Sequence, residues 1–194
     1  MNLYEDALPP WLSVLVQVIV RIKTAIVVIA LPILPITFFF VVFFRYILES
    51  DLFAYEEWLM VICFWVFFLG SALGTYQDKQ INADLLDAIT ENAKLLWLRK
   101  IGITVLELLI TLVVLYWAWL MLADEIAVYP RWKTTIALKI PFIVPRIGIF
   151  VGFFFMALYS LLYIYVLWKV GPDRYVETVQ MAKQERIKEE GVVT

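Results

Sequence analysis

Residues 24–44 read TAIVVIALPILPITFFFVVFF, a run with no charged side chain. A spanning helix needs about 20 largely apolar residues, because the hydrocarbon layer is roughly 30 Å thick and each residue rises about 1.5 Å. This run meets the requirement, and it is apolar on every side, which a helix on the surface of a soluble domain is not. Working outward, residues 58–76 and 147–168 are equally free of charge, and 101–123 carries a single one, Glu107. The sequence therefore predicts an all-α integral membrane protein with four spans, at about 24–44, 58–76, 101–123 and 142–168, in a single membrane domain.

Composition agrees. Hydrophobic residues make up 63% of the 194 and aromatic ones 16%, more than one soluble core of this size can hide. A net charge of -2 gives no electrostatic case for a nucleic-acid partner. The chain has no histidine and one cysteine, Cys63, which excludes haem bis-histidine ligation, a Ser-His relay and any disulfide within the chain. No cofactor or metal site is expected, and no catalytic apparatus: the chain does not read as an enzyme. The start MNLYEDALPPW has no basic region ahead of its apolar stretch, so no cleavable signal peptide is expected.

Two further segments are amphipathic. Over 11–23, Ser13, Gln17 and Arg21 recur every fourth residue while Leu12, Leu15, Val16, Ile19 and Val20 take the other side, behind Pro9 and Pro10, which suit a helix start. This predicts an interfacial helix with Trp11 at headgroup level. Over 81–98, Asp84, Asp87, Glu91 and Lys94 share one side. That helix lies on the bilayer or docks on a partner, and periodicity leaves both open. Pro32 and Pro35 predict a bend within the first span, either a static kink or a hinge.

Orientation follows from lysine and arginine. Eleven fall at the amino end (Arg21, Lys23), in the middle connection (Lys79, Lys94, Arg99, Lys100) and in the tail 169–194 (Lys169, Arg174, Lys183, Arg186, Lys188). Five fall on the other side: Arg45, Arg131, Lys133, Lys139 and Arg146. The positive-inside rule places both termini in the cytoplasm.

Few residues invite chemistry. Glu107 is the one ionisable group that reads as well inside a span, and with Thr104 and Thr111 it forms a polar stripe at helical spacing. Such a stripe faces protein, as interhelical or subunit packing or as a cation ligand. Arg146 reads as a snorkelling anchor at the far end of the fourth span. Glu56 and Glu57 suit the first turn of the second span, where carboxylates meet the positive end of the helix dipole, or else a subunit contact. Trp58, Trp97, Trp132 and Trp168 fall near span ends and fit aromatic belts.

The order of these elements, with FRYILESDLFAYEEW at 44–58, LGSALGTYQDKQINADLL at 69–86 and TTIALKIPFIVPRIGIFVG at 134–152, resembles the small membrane (DctQ-like) subunit of tripartite ATP-independent periplasmic (TRAP) transporters. The resemblance covers about 24–168. It rests on Arg45-Tyr46, Glu56-Glu57, Ile81 with Asp84, and Ala137-Leu138-Lys139-Ile140-Pro141. Where the family has Gly-His, this chain has Lys79-Gln80, and a tryptophan expected two residues before the Glu-Glu pair is Ala54.

The resemblance implies a sodium-driven importer of organic acids in the bacterial inner membrane. In such a system a periplasmic substrate-binding protein delivers cargo to a large multi-span permease, which the small subunit braces in the lipid and with which it shares the docking surface for the binding protein. With the residues read above, the expected subunit or binding-protein contacts are Arg45, Tyr46, Glu56, Glu57, Asp84, Glu107, Lys139 and Arg146. Two other readings are an independent four-helix channel or exporter and, from another class, a membrane enzyme acting on lipid or quinone.

Overall fold

The computed structural model describes residues 8–77, 93–175 and 177. Those residues include five helices: α1 (Pro10–Ala30), α2 (Ile33–Ile47), α3 (Tyr55–Tyr76), α4 (Ala93–Ala127) and α5 (Ile143–Val170). Four helical units are long and apolar enough to cross a membrane, with α1 and α2 together making the first. The fold is the all-α membrane architecture expected. Most of the segment 81–98, Asp84 included, lies outside the described residues, and from Ala93 onward the chain already belongs to α4.

The first span departs from expectation in where it breaks. The stretch 11–23 does not end before the apolar run. It continues as one helix to Ala30, and the interruption falls at Leu31-Pro32. Pro32 has no N–H to return to the preceding turn, so the ladder stops at the Leu31 N–H to Val27 bond of 2.8 Å and restarts with Ile36 N–H to Pro32 O at 3.2 Å. Pro35 sits in the first turn of α2, where a missing N–H costs nothing.

α5 is the central helix. α3 runs parallel to it and α4 antiparallel, and each packs along most of its length. Gly148 and Gly152, spaced four apart, make the α3 contact possible: a Cβ on Gly148 would lie 3.3 Å from the Trp65 ring, and one on Gly152 only 2.5 Å from Phe68 Cβ. Small residues at that spacing let two helix backbones approach, which is how spans associate when lipid is as apolar as leucine. Phe68 then meets Phe153 with ring centroids 5.2 Å apart, and Tyr76 meets Tyr159 at 5.4 Å. The buried core gathers around the last turns of α5: Val166 and Leu167, with Leu8, Val16, Ala72, Tyr76, Tyr159 and Tyr163.

α5 ends where Gly171 adopts φ 78, its N–H closing on Leu167 O at 3.2 Å, a left-handed terminus that favours glycine. α4 is 35 residues long, about 52 Å of rise, and so outruns the hydrocarbon layer. At the end where α4 finishes, residues 133–142 fold back as a short hairpin held by Thr135 N–H to Ile140 O and Phe142 N–H to Lys133 O, both 3.0 Å.

Gly152→Ala should lower stability by about 1–3 kcal/mol, because the added methyl meets the Phe68 backbone as well as its side chain. Gly102→Ala, with nothing within 4 Å, should be neutral or stabilising. Unfolding of the two variants in mild detergent, followed by circular dichroism, separates them.

Candidate functional site

Polar groups collect at two levels of the bundle. The first is inside the apolar zone. Lys23 lies on the α1 face that also carries Leu12, Val16 and Val20, and that face packs on α3 and α5. Its side chain is consequently only 4% exposed. The ammonium donates to the Tyr159 hydroxyl and stands 4.1 Å from the centroids of both the Phe155 and Tyr159 rings. A cation between two ring faces is attracted by their quadrupoles, by about 0.5–2 kcal/mol, which offsets part of its desolvation.

The neighbouring α5 residue, Ser160, donates to Glu107 Oε1 at 3.3 Å. Adjacent positions on α5 thus hold a cation from α1 and a carboxylate from α4 at one depth. Tyr159 stands eleven residues before the end of α5, about 16 Å of rise. Lys23 is therefore not a flanking charge, and Glu107 is not the one ionisable residue deep in a span. The signal that could have found Lys23 was its place on the apolar side of 11–23, three residues after Val20.

The second level is the end of the bundle that carries the hairpin. Glu125 and Arg146 form an ion pair joining the last turns of α4 to the first turn of α5. Glu125 is buried and Arg146 about one-third exposed. The sequence reading of Arg146 as a snorkelling anchor is thereby corrected: its guanidinium turns into the bundle because α4 stays helical past residue 123 and brings a carboxylate to it. Glu125 extends the stripe of Thr104, Thr111, Ala118 and Leu122 that α4 presents to α5, all of them buried. Trp65 Nε1 adds a bond of 3.2 Å to Val144 O, tying α3 to the same turn.

Glu57 holds the hairpin. One carboxylate oxygen accepts the Ala137 N–H and the other the Leu138 N–H, each at 2.7 Å. The Thr135 hydroxyl accepts the Ile140 N–H at 2.9 Å, closing the turn from inside. Lys139 adopts φ 56, which lets the chain reverse. Ala54, with φ 51, starts α3 in the orientation that brings Glu57 beneath the hairpin. The adjacent carboxylate, Glu56, is exposed, as helical divergence of neighbours requires.

The expected contact residues therefore divide. Arg45, Tyr46, Glu56 and Lys139 are exposed, whereas Glu57, Glu107 and Arg146 are engaged within the chain. No three His, Cys, Asp or Glu side chains gather closely enough among the described residues to hold a metal ion.

Tyr159→Phe should destabilise by about 1–3 kcal/mol, since it strips a buried ammonium of its oxygen partner. Lys23→Met removes the charge while keeping the stem and should cost less or nothing. Chemical unfolding in detergent ranks the two. Glu57→Ala should speed backbone hydrogen exchange in 135–140 without changing that of α5, as mass spectrometry of the exchanged peptides would record.

Among known families, the one described as Tripartite ATP-independent periplasmic transporters, DctQ component, matches residues 34–170. The match begins in the first turn of α2 and ends with the last residue of α5. No curated protein matches the chain.

Proposed function

The chain belongs to the DctQ component family of tripartite ATP-independent periplasmic transporters, and from that premise we propose that it is the bracing subunit of a sodium-coupled importer of organic acids. It serves a large multi-span permease in the bacterial inner membrane. The family is a transporter component, not an enzyme class. Substrate and sodium are handled by the permease, and cargo arrives on a soluble periplasmic binding protein. Both termini lie in the cytoplasm, which places the hairpin 133–142 on the periplasmic side.

The observation that carries this reading is the use to which the buried polar groups are put. Lys23 and Glu107 each bond to α5, and Arg146 pairs with Glu125, so these charges tie helices together. A solute path through a bundle needs polar groups converging on one lane at successive depths. Here Lys23 and Glu107 reach different sides of α5, and although Glu107 and Glu125 share the α4 face that meets α5, they stand 18 residues apart with the buried Thr111, Ala118 and Leu122 between them. The apolar surfaces left over are broad. Phe38, Phe39 and Phe40 on α2 and Leu106, Leu109, Ile110, Val113 and Trp117 on α4 are exposed, and they suit lipid and the flank of a larger membrane protein.

Coexpressed with its permease, the chain should copurify in a one-to-one complex, and the pair in liposomes should accumulate a carboxylate only with a sodium gradient and the binding protein present. The chain alone should give no flux. Flux from the isolated chain would turn the reading toward an independent channel.

A further inference from the structure

The hairpin at 133–142 is built more firmly than a connection between two spans requires. A link from α4 to α5 could be any short polar loop, yet this one has two backbone bonds across the hairpin, an internal threonine cap and a carboxylate from a third helix bonded to two successive N–H groups. All but the Phe142–Lys133 bond at the base fall on Thr135, Ala137, Leu138 and Ile140. What they hold in place is Ile136, 89% exposed, the most exposed of the large hydrophobic side chains described. Leu138 stands beside it, 41% exposed, and the basic side chains Lys133 and Lys139 flank both in sequence and are exposed.

We infer that Ile136 is the apolar knob of a preformed docking element, rimmed by Lys133 and Lys139, that seats in an acidic-rimmed apolar recess on the soluble periplasmic component. Glu57 is the strut that keeps the tip rigid and is not itself a contact. This rests on the proposed function, which supplies the periplasmic component and the side of the membrane.

Three features select that occupant. A membrane-embedded partner meets the flanks of the helices, whereas this element stands beyond the ends of α3 and α5 and carries two lysines among its apolar residues. Its exposed basic residues give it a sign, and a soluble protein with an acidic rim complements that sign and is steered to it. Rigidity matters most for a partner that binds and leaves repeatedly. A tip already ordered by Glu57 loses little conformational entropy at each encounter, so a single side chain contributes more of its burial to affinity.

The test uses the complex of the chain with its permease in nanodiscs, titrated with the soluble binding protein and read by biolayer interferometry. Ile136→Asp should weaken binding about tenfold or more and Lys139→Glu less, while Ile136→Leu stays within about twofold of wild type. Copurification of the permease should be unchanged in all three. Wild-type affinity in both Ile136→Asp and Lys139→Glu overturns the inference while leaving the bracing role intact. A fluorophore on Ile136→Cys, placed in a Cys63→Ser background, should be shielded from aqueous quenchers by the binding protein. Quenching by spin-labelled lipid that the binding protein leaves unchanged assigns the tip to the headgroup layer and overturns it too. If the wild-type chain fails to pair with the permease, the proposed function falls, and the inference with it.

Discussion

Hydrocarbon offers no hydrogen bonds, so a polar side chain carried into the bilayer has to find its partner on another helix, and the fold is organised around meeting that demand on α5. Tyr159 and Ser160 are consecutive residues that receive Lys23 from α1 and bond to Glu107 of α4. Consecutive positions on a helix point about 100° apart, so the two charges approach from different sides of one helix instead of meeting each other. Each is bonded to a hydroxyl of α5. α5 can take this position because Gly148 and Gly152 already bring α3 against its remaining side.

Much of this was legible in the residues, and the part that was not has a common cause. Four apolar runs separated by charged connections specify four crossings, because length and hydropathy are properties of each run alone. Pro32 announced a break for the same local reason. The missed features depend on what stands opposite. Lys23 read as a flanking charge because basic residues near span ends usually are, and only the packing of the Leu12, Val16 and Val20 face against α3 and the α5 tyrosines Tyr159 and Tyr163 draws it inward. Glu125 sat just past the assumed end of the third span, so Arg146 had no visible partner. The helix end moved by four residues, and an anchor became half of an ion pair.

Glu57 illustrates the same point in the candidate site. Its neighbour Glu56 has identical chemistry and nearly the same place in sequence, and the Glu-Glu pair gave no reason to prefer one. The helix start sets the difference. Ala54 in a left-handed conformation begins α3 so that the position of Glu57 faces the 135–140 turn and that of Glu56 faces away. A pair that reads as a repeated contact is one strut and one exposed carboxylate.

These two levels have different mechanical consequences. In the middle of the bundle, bonds between single side chains on α1, α4 and α5 fix which helix faces meet, while the outward surfaces remain uniformly apolar. At the hairpin end, a carboxylate bound to backbone amides fixes the path of the main chain itself, so the geometry of the turn survives changes in the side chains it displays. The first arrangement suits a body that must keep its shape while a larger neighbour works against its flank. The second suits a surface whose side chains change with the partner while its frame stays put. A chain with both is held stiff where its helices meet and ordered where its main chain turns back.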